Sequence, residues 1–580
     1  MLSNKLLKMC NRKCLTTIFL HISVVIFSII KESNEIESVR GPTRNVLIPF
    51  HDARKEFRDD YGIRMERQRY DGWYNNMAHP EWGTVESRLI RKTPPSYGDG
   101  VYMMAGSNRP SPRKVSQFLM KGDDGIGSLR NRTALLAFFG QVVSAEILMA
   151  SESGCPLEIH HIEIEQCDEM YDAHCQANKN LSMPFYRANY DRLTGQSPNT
   201  PREQVNRMTS WIDGSFIYSS NEAWISTMRT YSGNGDLKVM EDDDSSEDDK
   251  EKKSNEPHKK MPPYNSKRVP LFNHPSPHLM KNLNPERMFV LGDPRTNQNP
   301  AYLSLGILFY RWHNVLASRI KSRYPLWRDE DIFQAARRWN IATLQNIIAY
   351  EYIPAFIGTN LAPYAGYKSA MHPGVSHVFQ SAAFRFGHTL IPPGVYQRDG
   401  KCNFGKDSGK NSALRLCSNW WDAQNIVSES INKNEEVIEN IFRGLSSQIA
   451  EREDSLLCSD VRNKLFGPME FSRRDLASLN IMRGRDNGLP DYNTVRKCYG
   501  LPMVNSWSEI NVEKYRETPE VFHTLRELYG EHGIGNIDLF VGGMLETKTG
   551  PGQLFTSIIK EQFETLRDSD RFWFENEENQ

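Results

Sequence analysis

The chain has 580 residues, with 71 Lys and Arg against 72 Asp and Glu and a formal net charge of −1. Hydrophobic residues make up 39%, charged residues 25% and aromatic residues 11%, which is an ordinary soluble composition. The balanced charge gives no reason to expect nucleic acid or an anionic membrane as a partner, and the length allows several small domains or one large one.

The N-terminus joins a basic segment to an apolar one. Four lysine and arginine residues precede the apolar run 15–30, and polar residues follow at once. That order predicts a secretory signal peptide over residues 1–31, with an uncleaved anchor as the alternative. Sequons at Asn131 and Asn180 are compatible with a secreted, glycosylated surface.

The cysteines also fit a secreted chain. Seven of the nine lie beyond the predicted signal, and because seven is odd, at least one is free or pairs outside this chain. We expect Cys402 to pair with Cys417 across a short polar loop. We expect a second bridge between Cys458 and Cys498. The connectivity of the other three stays open: Cys155, Cys167 and Cys175.

The first half of the chain is sparse in regular structure. Residues 44–130 are rich in turn formers and predict extended pieces that wrap a surface. Residues 133–150 carry apolar side chains at helical spacing, and residues 155–200 have the composition of a loop. Residues 241–268 form a charged, low-complexity run, predicted to be a disordered insert because it cannot bury apolar surface.

Residues 209–218 are compact and rich in oxygen donors. Thr209, Asp213 and Ser215 alternate along the segment, and Trp211 adds a carbonyl between them. A loop that curls around a hard cation presents its ligands in this way. The alternative is a plain turn before a short helix or strand.

The second half is predicted to be helical. Apolar stripes at helical spacing run over 302–316, 332–350 and 437–449, and the second is expected to end before Pro354. Residues 519–530 and 553–567 also predict helices. No internal repeat, nucleotide-binding glycine pattern or metalloprotease motif is present. The fold class is therefore mainly α, a single large helical domain with long loops.

One histidine, His388, is the strongest candidate for chemistry. Apolar residues around it have roughly helical spacing, and Pro392 ends the segment. Gly387 leaves the flank of the imidazole open to a large flat ligand. A histidine that projects from a core-facing helix into a cavity is how proteins hold haem iron; a satisfied core histidine is the alternative.

Four motifs carry a family resemblance. They are FFGQ at 138–141, DPRTNQ at 293–298, GHTLIPP at 387–393 and LASLNIMRGRDNGLPDYN at 476–493. Together they resemble the animal haem peroxidase family, over about residues 70–576, and imply such a domain over 44–576. The surrounding sequence is similar to the peroxidase-homology region of the dual oxidases. There it precedes EF-hands, membrane spans and a flavin- and NADPH-binding domain. None of these occurs here, so we expect a fragment or a shortened gene product.

The resemblance implies roles for individual residues. His388 matches the proximal iron ligand, and Asn480 matches the residue that accepts a hydrogen bond from its other ring nitrogen. Arg483 matches a partner of a haem propionate. Arg295 matches the distal arginine that stabilises charge on bound peroxide, and Gln141 matches the distal glutamine.

A cation site is implied as well. The family's calcium loop matches the oxygen-rich segment described above, which raises the expectation for calcium at Thr209, Trp211 (through its carbonyl), Asp213 and Ser215. Glu146 stands where the family has the aspartate that completes the calcium shell. It keeps the charge and adds one methylene group.

Three departures affect the chemistry. The distal histidine, the family's general base, is Ala145 here, and losing a positioned acid–base group typically costs about 10²–10⁴-fold. The two carboxylates that esterify haem are replaced by Ser144 and Gln298. Any haem b is therefore expected to be held non-covalently.

Two functions follow, and both stay open. One is an extracellular haem peroxidase that uses hydrogen peroxide, made by the oxidase half of a dual oxidase, to oxidise small donors or protein tyrosines. The other is a pseudo-peroxidase that serves as a folding or interaction module of a hydrogen-peroxide-forming NADPH oxidase and its maturation factor. A helical binding domain with a coincidental motif is the third and weakest reading.

Overall fold

The computed structural model describes residues 66–151, 156–176, 181–240, 261–265, 286, 288–404, 413–422, 426–427 and 436–579. Most regular structure in them is helical. The α-helices, in chain order, are α1 Pro112–Leu119, α2 Ala134–Ile147, α3 Ser215–Tyr218, α4 Glu222–Met228, α5 Pro300–Arg323, α6 Asp329–Ile347, α7 Ile353–Ile357, α8 His377–Ser381, α9 Val437–Ser447, α10 Ser459–Arg462, α11 Leu476–Asp486, α12 Tyr492–Cys498, α13 Val512–Glu517, α14 Pro519–Tyr529, α15 Leu539–Leu545 and α16 Gln553–Asp568.

The core is organised around α5. This helix is buried on nearly every side, because its sequence places apolar or small residues all around the axis. Asn299 caps its first turn by accepting a hydrogen bond from the backbone nitrogen of Tyr302, at 3.0 Å. Helices α2 and α6 pack directly against α5, and α9 joins them on the same core. The predicted helices of the second half are therefore confirmed.

The end of helix α6 differs from the prediction. The helix does not end before Pro354 but continues through a π-helical turn, Ile348–Tyr352, into α7. Pro354 lies in the first turn of α7, where a missing backbone N–H costs little. The segment ends at Gly358, which adopts the left-handed conformation at φ 79°.

Three small antiparallel pairs make up the strands of the described residues. The pairs are β1 Ser87–Arg88 with β4 Val205–Asn206, β2 Ile159–Ile164 with β3 Leu181–Tyr186, and β5 Gly394–Tyr396 with β6 Ala413–Arg415. The β2–β3 pair corrects the expectation of a loop over 155–200. Its buried side, with Ile162 opposite Met183, packs on Met482 of α11. Helix α1 likewise interrupts the region expected to be extended.

The structure resolves part of the cysteine connectivity that the sequence left open. Cys167 and Cys175 form a disulfide, which answers part of the open connectivity. Cys155 lies outside the described residues, as do the predicted signal peptide and the sequon at Asn180. Residues 241–260 and 266–268 of the predicted insert also lie outside them. Its described part, 261–265, lies on the domain, where Tyr264 stacks on Phe289 at 4.6 Å.

Both predicted bridges of the C-terminal half are wrong. Cys402 lies in the connection between β5 and β6, whereas Cys417 follows the far end of β6, so the hairpin separates them. Cys458 is buried just before α10, while Cys498 is exposed at the end of α12. Among the described helices, none combines the length and the apolar character needed to cross a bilayer.

Candidate functional site

The centre of the site is a contact between two segments that are distant in sequence. His388 lies on a 3-10 helix, Ala383–Leu390, rather than the regular helix that its spacing suggested. Asn480 lies on α11, whose first turn is capped by the side chain of Asp475. The side-chain nitrogen of Asn480 is 2.9 Å from Nδ1 of His388, although 92 positions separate the two residues. The structure therefore brings the predicted proximal pair together.

The direction of this hydrogen bond differs from the prediction. Asn480 Oδ1 accepts a hydrogen bond from Arg385 at 2.9 Å, so its amide nitrogen faces His388. A guanidinium group can only donate, which explains why it takes the amide oxygen. Sequence reasoning missed Arg385, although it lies three residues before His388 on the same 3-10 helix. A half-turn of the Asn480 amide would restore the predicted acceptor.

His388 has the properties of a neutral metal ligand. Burial, followed by the charge of Arg385, lowers the pKa of His388 to about 3, so the imidazole is neutral near pH 7. The residue is nevertheless half-buried rather than fully covered. A Cβ atom added at Gly387 would meet only Phe356, at 3.6 Å. The imidazole is therefore not fully covered, and Gly387 adds no side chain that would crowd a ligand beside it.

Two arginines beside this pair fit the carboxylate groups of a haem. Arg385 contacts no carboxylate among the described residues; burial, and then the nearby charge of Arg483, lowers its pKa to about 9. Arg483 pairs with Asp486 at 3.2 Å and lies over the ring of Phe185. The guanidinium group of Arg385 therefore carries a positive charge that an anionic ligand would balance.

The predicted distal residues lie on two other elements. Gln141 projects from α2, and its amide nitrogen donates to Gln298 Oε1 at 2.6 Å. Its amide oxygen accepts from Asn299 at 2.9 Å. Gln298 ends the 3-10 helix Pro294–Gln298, which leads directly into α5. The position that carries an esterifying carboxylate in the family is therefore occupied by an amide that contacts the distal glutamine.

Arg295 is held by a buried carboxylate and by the end of α2. Its Nε donates to Asp293 at 2.8 Å, and its terminal nitrogens donate to the carbonyls of Ala145 at 3.1 Å and Leu148 at 3.3 Å. Burial opposes the charge, but Asp293 outweighs it and raises the pKa of Arg295. The guanidinium therefore stays charged beside Ala145 while it satisfies carbonyls at the C-terminus of α2.

The residue at the predicted position of the distal base is a small apolar one. Ala145 is buried, with 4% of its surface exposed, and its methyl group cannot accept or return a proton. Ser144 beside it is half-buried. The structure therefore places a permanent cation on this side of the site, without a side chain that titrates near neutral pH at position 145.

The oxygen-rich loop before α3 converges as predicted. Thr209 Oγ1 donates to Asp213 Oδ2 at 2.9 Å and lies 3.2 Å from Ser215 Oγ. The hydroxyl of Ser215 also donates to Asp213. Trp211, which lies between Thr209 and Asp213 in the sequence, is buried, and its indole donates to the carbonyl of Gly72 at 3.3 Å. Three side-chain oxygens of the predicted cation loop therefore meet in one place.

Glu146 reaches this loop from α2. Its carboxylate accepts hydrogen bonds from the backbone nitrogens of Gly214 at 2.5 Å and Phe216 at 3.0 Å. Burial, and then the charge of Asp213, raises the pKa of Glu146. Burial also raises the pKa of Asp213. Two buried carboxylates near hydroxyl oxygens form a donor set that suits a hard divalent cation.

Metal-binding clusters of the usual kind are not found. Within the part of the chain that the structure describes, no three His, Cys, Asp or Glu side chains are grouped to hold a metal ion. This is compatible with both predicted sites. A haem iron needs one protein ligand, and the cation loop relies on hydroxyl and carbonyl oxygens as well as carboxylates.

The fold and the motifs define a family. Residues 67–580 match the model of the animal haem peroxidase family, and the chain belongs to it. Haem is the cofactor of that family.

Within the family, the chain is similar to the peroxidase-like part of dual oxidases. It is 60% identical over 514 residues to a dual oxidase of Drosophila melanogaster, covering 89% of this chain and 32% of that protein. It is 38% identical over 522 residues to human dual oxidase 1, again covering 89% and 32%. The chain thus spans about a third of the length of these relatives.

Solved structures agree on the fold. Peroxidase A from Dictyostelium discoideum superposes with a TM-score of 0.76 at 27% identity, covering 89% of this chain and 93% of that one. A fatty acid alpha-dioxygenase from Oryza sativa superposes with a TM-score of 0.66 at 19% identity, covering 88% and 80%, and is similar in fold alone. The structure is therefore that of a peroxidase-like domain.

Proposed function

We propose that this domain is an extracellular haem peroxidase that binds haem b non-covalently and uses hydrogen peroxide to oxidise donors such as protein tyrosines. The observation that carries the proposal is the contact of His388 with Asn480 beside Arg385 and Arg483. A neutral imidazole, a residue on its second nitrogen and an unbalanced positive charge are what a haem with two carboxylates requires. Haem, when bound, would supply the redox chemistry of peroxide reduction.

The side chains of this domain would hold and orient the reactants. His388 would bind the iron, and Asn480, after a half-turn of its amide, would accept a hydrogen bond from Nδ1–H and make the imidazole a stronger ligand. Arg385 and Arg483 would bind the haem carboxylates. Arg295 would stabilise negative charge on the peroxide from a position fixed by Asp293.

A second candidate function rests on the distal side. Ala145 supplies no general base, and the donors of Arg295 are engaged by Asp293 and by backbone carbonyls. These observations favour a pseudo-peroxidase with weak or no turnover, which would serve as a folding or interaction module. In that case the rest of a hydrogen-peroxide-forming NADPH oxidase would carry the fast chemistry.

We also propose that calcium binds in the loop before α3. Thr209, Asp213, Ser215 and the carbonyl of Trp211 would be ligands, and Glu146 would add a second carboxylate. A divalent cation would offset the repulsion between the two buried carboxylates, which is the physical argument for the site.

The natural setting of the domain is proposed from its relatives. The remainder of a dual oxidase and a maturation factor would be its protein partners, and hydrogen peroxide with a reducing donor its substrates. The domain would lie outside the cell, at the surface membrane when it is part of a full-length dual oxidase.

Haem content tests the central assignment. The purified wild-type chain, expressed with haem supplied, is expected to show a Soret band and about one haem per chain, and the His388→Ala variant should lose both. His372→Ala is the matched control, because this histidine lies in the preceding segment and packs on Trp82. Circular dichroism would verify that each variant is folded. Unchanged haem content in folded His388→Ala protein would overturn the assignment.

A further inference from the structure

Three amide side chains form a continuous chain beside the proposed haem site. Asn299 donates to Gln141 Oε1 at 2.9 Å, and Gln141 donates to Gln298 Oε1 at 2.6 Å. The two glutamines are half-buried, whereas Asn299 is buried with 1% of its surface exposed. Only Gln141 has a predicted role, so the other two amides call for an explanation.

The direction of this chain is fixed at one end. Asn299 caps α5, and its Oδ1 accepts from the backbone nitrogen of Tyr302 at 3.0 Å. A backbone N–H can only donate, so the Asn299 amide cannot turn over without losing the cap. Its nitrogen is therefore the donor to Gln141, and the orientation of each following amide is determined in turn.

The other end of the chain presents a donor. Gln298 Oε1 accepts from Gln141, so the amide nitrogen of Gln298 is not used in this chain. That nitrogen has no hydrogen-bond partner among the described residues. The backbone of Gln298 is fixed as well, since its carbonyl accepts from Trp421 at 2.9 Å. Ionised glutamate at this position would accept from Gln141 but could not extend a donor.

We propose that Asn299 is a positioning residue that orients Gln141 and Gln298 so that amide N–H groups face the ligand side of the haem. The inference rests on the proposed function, because it takes Gln141 as a residue of that side. With Ala145 in place of a base, this side of the site offers donors from both amides but no side-chain proton acceptor at position 145. Such an arrangement stabilises a small anionic ligand and does not help to remove a proton from a neutral one.

Fluoride binding to the ferric, haem-loaded protein tests the orientation, with the Soret band as readout. Asn299→Asp retains an oxygen for the cap of α5 but cannot donate to Gln141, so the amides should reverse and turn an oxygen toward the ligand. The fluoride dissociation constant is expected to rise about ten-fold, as for the loss of a hydrogen bond to a charged group. Gln298→Glu, which keeps the acceptor for Gln141 but removes the free donor, should have a similar effect.

Asn221→Asp is the matched control. Asn221 caps α4 in the same way, by accepting from the backbone nitrogen of Trp224 at 3.1 Å, but it belongs to no amide chain. It should leave fluoride binding unchanged. Equal fluoride affinity in the wild type, Asn299→Asp and Gln298→Glu would overturn the inference.

A measurement without haem separates this inference from the proposed function. In the haem-free protein, the effects of Asn299→Asp and Gln298→Leu on the melting temperature should be non-additive, because both act on Gln141. Additive effects would overturn the amide chain whether or not haem binds. If the two effects are non-additive and the wild-type protein shows no Soret band, the amide chain is retained and the proposed function is overturned.

Discussion

The two sides of the proposed haem site have departed from the family pattern to very different degrees. On the proximal side, His388 contacts Asn480, and two arginines lie next to them. On the distal side, Ala145 stands where the family resemblance places the base, and Gln298 where it places an esterifying carboxylate. The side that would bind the cofactor is intact, while the side that would activate peroxide has lost its proton carrier.

The contrast distinguishes the residues needed to bind a cofactor from the residues needed for the reaction at that cofactor. Iron ligation needs one neutral imidazole in a fixed orientation, and the 3-10 helix Ala383–Leu390 with α11 provides it. Peroxide cleavage also needs a side chain that takes up a proton and returns it, and a well-positioned backbone cannot replace that side chain. Haem binding and peroxidase turnover are therefore separate properties here, and each can be changed without the other.

The largest effect is expected from restoring the distal base. Ala145→His should raise the rate of peroxide-dependent donor oxidation by about 10²–10⁴-fold, the usual contribution of a positioned acid–base group. Steady-state kinetics of the haem-loaded variant measures it. Ala145→Phe adds bulk without proton transfer and should give no gain. If folded, haem-loaded Ala145→His is no faster than the wild type, the missing base is not what limits turnover.

A smaller effect is expected on the proximal side. Asn480→Leu removes the partner of His388 Nδ1 and of Arg385, and such losses typically cost about 10–100-fold in affinity or activity. The transfer of haem to an acceptor protein would report the affinity. Asn480→Asp should preserve it, because a carboxylate accepts hydrogen bonds from both neighbours. Loss of haem from Asn480→Asp equal to that from Asn480→Leu would contradict this role.

A third prediction concerns calcium, which would join the distal helix α2 to the loop before α3. At a calcium concentration 100 times the dissociation constant, binding should stabilise the fold by about 2.7 kcal/mol. Thermal unfolding in calcium and in a chelator measures the difference, and Asp213→Asn should abolish it.

Asp99→Asn is the control for the calcium measurement. Asp99 is a carboxylate that accepts hydrogen bonds from three backbone nitrogens of an exposed loop, away from α2. This variant should keep the calcium effect. An identical unfolding temperature of the wild type with and without calcium would contradict the calcium assignment.

Local patterns were enough to predict the helices and to single out His388, whereas Asn480 was predicted from the family resemblance. The stripes over 302–316 and 437–449 became α5 and α9 because a helical period of apolar residues has one stable way to bury them. The same local reasoning failed at Pro354, where a π-helical turn carries the chain past the proline. It also missed the β2–β3 hairpin, whose strands pair across a connection of 16 residues without a turn signal.

What the sequence alone determined is therefore the helical class and the family pattern, because these depend on residue type and short-range spacing. Tertiary structure alone decided which donor meets which acceptor. The contact of Arg385 with Asn480 joins positions 95 apart, and that of Gln141 with Gln298 joins positions 157 apart. Hydrogen bonds select their partners by distance and direction in space, and spacing along the chain fixes neither between separate elements.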